Sequence, residues 1–313
     1  MKAVGAMAFG GPEVLQVVDV PEPHAGTDEV RVRVHAAAVN PTDALMRAGL
    51  TSLRGVLPPY IPGQDAAGVV DEIGKDAVTD LRTGDRVMAM VMPNGPRGGA
   101  YAEYVVLPAS WVTRAPVGTG HAEASTLPLN GLTARLALDL LALSPGQTLA
   151  VTGAAGGFGG YMVQLAKADG LRVVADASRA DEDLVRSLGA DLVVPRGDDV
   201  GARIRRAVPE GVDGLADGAL NGRPVVTAVR DGGSVAALRG IHSLGTSERG
   251  IAFHAVYVPD YRGRRDKLDQ LRGLVDAGAM TLRVAATFAP EQAPEAHRLL
   301  EGGGIRGRLV LEF

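Results

Sequence analysis

The chain has no cysteine. That absence excludes disulfides, thiol nucleophiles and thiolate metal sites together. Histidine is scarce as well. His24, His35, His121, His242, His254 and His297 never fall three to five positions apart, so no local zinc motif exists. There is no basic excess: the net charge is −4 and the pI about 5.9. No net excess of positive charge is therefore available to neutralise a phosphate backbone, which argues against nucleic acid as the main partner. No apolar run approaches the length of a membrane span, and the N-terminus lacks the cationic and apolar regions of a signal peptide. The expectation is a soluble cytoplasmic protein with no membrane partner. Aromatic residues are few while glycines number 42, which indicates many turns without any low-complexity segment.

What is present suits a folded enzyme-sized chain. Its 313 residues suggest two domains. With 46% hydrophobic and 22% charged residues, a sizeable core can form.

One stretch carries most of the chemistry. In Leu149 to Gly170, LAVTGAAGGFGGYMVQLAKADG, a short apolar run enters a turn containing Gly153, Gly156, Gly157 and Gly159. A helical pattern follows, Gly170 marks its end, and Leu171 to Ala175 reads as a second strand. This is a βαβ unit with glycines at its first strand-to-helix turn. Without Cβ atoms the backbone can bring its N–H groups against a pyrophosphate, and the helix N-terminus adds a positive dipole end. The spacing is G-x-x-G-x-x-G, not the strict G-x-G-x-x-G, so the flanking strands and helix carry the assignment.

Residues 1–120 read as β-rich, with strands at Leu15 to Val20, Val30 to Val34, Ala67 to Ile73, Arg86 to Met92 and Tyr101 to Leu107. In VRVRV, Val30, Val32 and Val34 share one face, with Arg31 and Arg33 on the other. Asn40, Thr42 or Asp43 suits the cap of a helix over Ala44 to Ala48. Pro58 to Asp65 is a proline-rich loop. Glu123 to Leu143 reads as two helical segments meeting near Pro128 to Gly131. Beyond the glycine stretch, helices over Asp181 to Leu188, Val200 to Ala207 and Val225 to Val229 alternate with strands at Asp191 to Val194, Gly214 to Ala216 and Ser234 to Leu238. That alternation implies a parallel doubly wound sheet. Ile251 to Val258 reads as an edge strand, Arg264 to Ala277 and Ala293 to Leu300 as helices, and Arg308 to Glu312 as the last strand.

These blocks together resemble the zinc-independent quinone oxidoreductase branch of the medium-chain dehydrogenase/reductase superfamily. The carriers are Asn40-Pro41-Thr42-Asp43, Pro62 to Gly68 (PGQDAAG), Gly84-Asp85-Arg86-Val87, Gly99 to Tyr104 (GAYAEY), Gly131-Leu132-Thr133-Ala134, the glycine stretch through Lys167, Leu188-Gly189-Ala190-Asp191 and the ending Gly307 to Leu311 (GRLVL). The resemblance implies an α/β fold: a GroES-like β-rich catalytic domain over 1–122 and 263–313, around a Rossmann dinucleotide-binding domain over 123–262. It implies an active site in the cleft and a homodimer joined through the last strand of the nucleotide domain. Zinc-dependent relatives carry a cysteine near Asn40-Pro41 and Gly-His-Glu where this chain has Gly63-Gln64-Asp65, so a metal-free reaction is implied. Hydride donation to a quinone or an α,β-unsaturated carbonyl needs no Lewis acid.

For the nucleotide, two readings stand side by side. Asp176 lies 20 residues after Gly156 and suits a ribose 2′-OH, as in NAD(H). Ser178 and Arg179 suit a 2′-phosphate, and NADPH is the favoured cofactor. The resemblance puts Gly153, Gly156, Gly157 and Phe158 against the pyrophosphate, with Asn40 and Thr133 at the nicotinamide ribose and Leu238 and Val258 near the carboxamide. Ser178 reads equally as a cap, Arg179 as a helix-start residue, Thr133 as a self-bonded helix residue and Phe158 as packing. Related enoyl reductases often carry a proton-donating tyrosine where this chain has Arg47 to Thr51, so Tyr60, which reads also as a loop aromatic covering the β domain, or solvent is the expected proton source. Asn40 and Tyr60 are the candidate catalytic residues, and a quinone is the expected acceptor. The alternatives are an enone, 2-alkenal or enoyl-thioester reductase, and a nucleotide-binding protein without turnover.

Overall fold

The computed structural model describes residues 1–53, 55–239, 241–246 and 249–313. The chain forms two compact units, one of residues 1–129 with 261–313, the other of 130–260.

The first unit opens with β1 (Lys2–Ala6), β2 (Leu15–Asp19), β3 (Glu29–Ala38), the short helix α1 (Pro41–Arg47), β4 (Asp65–Ile73), β5 (Arg86–Met90), β6 (Tyr104–Pro108), β7 (Val112–Arg114) and α2 (His121–Ser125). In β3 the alternation is realised: Val30, Val32 and Val34 are buried, and Arg33 faces solvent. The strand runs four residues past Val34, because His35 to Ala38 find partners that sequence periodicity does not reveal.

The second unit begins within α3 (Pro128–Leu141) and continues β8 (Thr148–Thr152), α4 (Gly157–Ala168), β9 (Arg172–Ala177), α5 (Glu182–Ser187), β10 (Leu192–Pro195), α6 (Val200–Ala207), β11 (Val212–Asp217), β12 (Val229–Ala237) and β13 (Ala252–Ala255). Its sheet is parallel, in the order β10-β9-β8-β11-β12-β13. Counted within the unit this is 3-2-1-4-5-6, the doubly wound order of the Rossmann fold, and it reverses between β8 and β11. Buried Val174, Leu215 and Val235 from the strands pack with Val200, Ile204 and Val225.

The chain then returns to the first unit through α7 (Arg265–Asp276), β14 (Val284–Phe288), α8 (Ala293–Gly302) and β15 (Arg308–Glu312). β15 pairs antiparallel with β3, Val310 opposite Ala38, and Leu309 and Leu311 join the core that contains Val30, Val32 and Val34. The seven-stranded sheet runs β14-β15-β3-β4-β5-β7, with β6 also on β3.

Two expectations are corrected. The strand expected over Ile251 to Val258 is only Ala252–Ala255, and Val258 opens a turn of 3₁₀ helix over Val258–Tyr261. Pro259 cannot continue the strand ladder. The strand expected from Tyr101 starts at Tyr104, because the buried Tyr101 belongs to a turn held by Pro62 and Gly63.

Candidate functional site

The glycine turn follows β8, and each of its glycines meets a different demand. Gly153 has φ +69°, a left-handed conformation that permits the tight turn. A Cβ on Gly159 would stand 2.2 Å from the Gly153 carbonyl oxygen, so this position lets α4 pack directly on the loop. A Cβ on Gly156 would meet only that same oxygen, at 3.2 Å, and the Gly156 backbone is extended, with φ −74°. Here a side chain fits the fold, and glycine leaves open the space in front of the α4 N-terminus. The first-turn N–H groups of Gly157 and Phe158 have no partner inside the helix. Free first-turn N–H groups and the positive dipole end of a helix suit a phosphate. The Phe158 ring lies against Gly218, where a Cβ would stand 2.9 Å from Cδ1.

Asp176 holds the turn from behind. Its Oδ1 accepts the Gly153 N–H at 2.7 Å and the Ala154 N–H at 3.2 Å. It is 6% exposed, and burial raises its pKa. Alternation along β9 turns Asp176 into the loop, while Ser178 and Arg179 emerge past the strand end. The Ser178 hydroxyl donates to Asp181, within the 3₁₀ turn it opens. Arg179 is exposed and makes no ion pair with a described residue. Arg196, which the sequence reading missed, stands beside them: its N–H donates to the Ala177 carbonyl at 2.9 Å, and it too is exposed. The available signal was a cation directly after the third strand, which in this sheet order neighbours the second.

On the other side of β8, the loop after β11 is pinned by Asp217. This buried carboxylate accepts the Thr152 hydroxyl at 2.7 Å, the Asn221 N–H at 3.1 Å and the Gly222 N–H at 2.9 Å. The pair straddles the point where strand order reverses, since Thr152 and Asp217 are partners in register. Leu238 follows β12 and Val258 follows β13, both half-buried. Of the loop after Leu238, Gly240 lies outside the described residues. Eight expected cofactor positions, Gly153, Gly156, Gly157, Phe158, Ser178, Arg179, Leu238 and Val258, thus sit past strand carboxyl ends, where open α/β sheets bind ligands. Thr133, half-buried on α3, has interactions of its own.

Asn40 and Tyr60 belong to the first unit. Asn40 is fully buried at the start of α1, where its N–H is accepted by Asp43 at 2.9 Å. Its side-chain NH2 donates to Asp65 at 2.9 Å, and its carbonyl accepts from Arg308 at 2.5 Å. Asp65 also takes the Leu129 N–H at 2.6 Å and stands 3.4 Å from Arg308. Gln64 accepts from Thr42. These are the positions at which the resemblance implies ligands in zinc-dependent relatives. Here they offer an amide, a second amide and a carboxylate already committed to a guanidinium, a donor set that does not fit zinc. Among the described residues no cluster of three metal-ligating side chains occurs.

A directional chain runs on from Asp43. Arg47 meets His297 Nδ1 at 3.2 Å, His297 Nε2 meets the Tyr101 hydroxyl at 3.1 Å, and that hydroxyl donates to Asp43 at 3.2 Å. Arginine can only donate, so Nδ1 accepts and the ring is the neutral Nε2–H tautomer. Burial, and then the Arg47 charge, hold the His297 pKa down at about 3. Burial pushes the Asp43 carboxyl up to about 7, against the bonds from Asn40 and Gly63. Tyr60 is half-buried, and its ring stacks on Phe9 with centroids 4.5 Å apart.

Residues 26–117 match the alcohol dehydrogenase GroES-like domain, and residues 188–311 match a family described as zinc-binding dehydrogenase. A chloroplastic quinone-oxidoreductase of Triphysaria versicolor is 31% identical over 100% of this chain and 98% of its own length. A chloroplastic NADPH-dependent alkenal/one oxidoreductase of Arabidopsis thaliana is 35% identical over 99% of this chain and 79% of its own. Among solved structures, an NAD-dependent alcohol dehydrogenase superposes with a TM-score of 0.85 at 31% identity, covering 100% of both chains.

Proposed function

The chain belongs to the quinone oxidoreductase branch of the medium-chain dehydrogenase/reductase superfamily, and from that membership we propose that it is a metal-free, NADPH-dependent reductase of quinones. The observation that carries the nucleotide choice is the end of β9. Asp176 is spent on the glycine turn, while exposed Arg179 makes no ion pair with a described residue and exposed Arg196, beside the strand end, acts on Asp176 through its charge alone among the contacts seen. Two guanidinium groups suit a 2′-phosphate and have no counterpart in NADH recognition.

NADPH, when bound, supplies the hydride. The N–H groups of Gly157 and Phe158 hold its pyrophosphate in the space that Gly153 and Gly156 leave. Arg179, Arg196 and Ser178 hold the 2′-phosphate. Thr133, Asn221, Leu238 and Val258 line the nicotinamide half. Asn40 acts by positioning, through Asp65, Arg308 and the start of α1. Catalysis then rests on orientation and exclusion of water. Absence of cysteine and histidine from the positions of Asn40, Gln64 and Asp65 is consistent with an acceptor that is already electrophilic. The product hydroquinone anion takes its proton either from Tyr60, the candidate acid, or from solvent.

The 35% identity to an alkenal/one oxidoreductase favours a second reading, reduction of an enone or 2-alkenal. A nucleotide-binding role without turnover is the reading from another class. Oxidation of NADPH, followed by absorbance with an ortho-quinone and a 2-alkenal in turn and with NADH as parallel donor, separates them. Turnover of the quinone with NADPH supports the proposal. Turnover of the alkenal alone moves the protein to the enone reductases. No oxidation with either, despite measured NADPH affinity, favours the binding role. We further read the protein as a cytoplasmic homodimer joined through β13, which stands at an edge of the second unit's sheet. No helix among the described residues is long and apolar enough to cross a membrane.

A further inference from the structure

Leu220 is a backbone outlier at the point where the sheet order reverses. Four described residues other than glycine have positive φ: Asp28, Asp76, Ala142 and Leu220. Aspartate tolerates that region, and Ala142 follows the last turn of α3. Leu220, at φ +59°, is a bulky side chain in a conformation it rarely adopts. It is also 43% exposed, although it is apolar.

The surrounding hydrogen bonds enforce this state. Asp217 takes the N–H groups of Asn221 and Gly222, the two residues after Leu220. Thr152, bonded to Asp217, takes the Ala219 N–H at 3.2 Å, immediately before it. The loop is therefore clamped on both sides of the strained residue, at the junction of β8 and β11. It packs on the glycine turn, since a Cβ on Gly153 would meet the Ala219 nitrogen at 3.1 Å. Strain that local contacts over-determine at a site of this kind points to a function.

A direction follows from the sheet order. The phosphate-binding turn follows β8, and the residues read for the adenosine 2′-phosphate lie toward β9 and β10. Leu220 lies on the opposite side, past β11, where a dinucleotide spanning the reversal point presents its nicotinamide half. We propose that the Asp217–Thr152 clamp holds Leu220 left-handed so that its side chain covers the nicotinamide half of the bound dinucleotide and positions it. This rests on the NADPH reading above.

The test compares two ligands on the full-length protein and on two variants, by calorimetry. The ligands are NADPH and adenosine 2′,5′-bisphosphate, which carries the adenosine end alone. Leu220→Ala keeps a Cβ in the strained position and removes the apolar contact. Leu220→Gly removes the contact and the strain. Both should weaken NADPH by about five- to tenfold, the loss expected for most of one buried leucine side chain. Both should bind the bisphosphate within about twofold of the parent. The glycine variant should melt above the alanine variant, because the left-handed backbone no longer strains it. Parental NADPH affinity in both variants overturns the proposal, as does an equal loss for both ligands or a loss confined to the glycine variant. A parent that binds neither ligand overturns the nucleotide reading itself, and this inference with it.

Discussion

At the end of β9, two neighbouring residues divide the work that a single acid often does in dinucleotide-binding folds. Asp176 faces the glycine turn, and Arg179 faces solvent. The sequence set these residues side by side as rivals without saying which way each points. Alternation along a strand decides it, once the strand is known to end at Ala177. Arg179→Ala and Arg196→Ala should each raise the KM for NADPH by roughly ten- to a hundredfold, the loss of a charged hydrogen bond, and leave NADH nearly untouched. Equal effects on both nucleotides would sink the phosphate assignment. Asp176→Ala should weaken both nucleotides and lower unfolding free energy by about 1–3 kcal/mol, since two N–H groups lose their acceptor. Denaturant titration with nucleotide binding tests this. Selective loss of NADH binding would instead make Asp176 the ribose acid.

Between β8 and α4 the sequence was most legible. A strand, a glycine-rich turn and a helix within 22 residues leave few structural options. The division of labour among the glycines was not legible, because it depends on what each missing Cβ would touch. Gly156→Val should abolish binding of NADPH and NADH while the melting temperature stays within a few degrees, since an extended backbone accepts valine. Gly159→Ala should instead destabilise the fold, because its methyl would drive into the Gly153 carbonyl at 2.2 Å. Thermal melts beside nucleotide titrations separate the two, and full affinity in Gly156→Val would remove the loop as the pyrophosphate site. Elements with ambiguous composition were missed. β1 and β14 carry glycine or paired alanines and exist as strands because β2 and β15 supply partners, as Val4 opposite Val17 shows.

Over the whole chain, the buried line from Arg47 through His297 and Tyr101 to Asp43 joins segments separated by 250 residues in sequence. It gives the first unit a definite pH response. The His297 pKa is lowered from 6.5 to about 3 in the fold. The unfolded chain therefore gains a proton first on acidification, and the stability His297 contributes is full above the unfolded value and lost as pH falls toward the folded one. Asp43, raised to about 7, acts in the opposite sense between its two values. The stability difference between the parent and His297→Gln should shrink as pH drops below 6.5, by at most about 1.4 kcal/mol per pH unit. A difference constant from neutral pH to pH 4 would show that His297 is not buried neutral. Sedimentation should give twice the chain mass of 32.3 kDa; a monomer at micromolar concentration would refute pairing through β13.

Composition alone excluded thiol chemistry, because no residue is present to perform it. Local pattern determined the glycine turn and the alternation of strands and helices, because both follow from neighbours within a few positions. Motif order determined the family. Only the tertiary structure decided that Asn40 is sealed between Asp65 and Arg308, that Arg196 stands beside Ser178, and that Leu220 is forced left-handed. Each of those depends on groups brought together by strand order and register, and neither quantity is written in the spacing of residues along the chain.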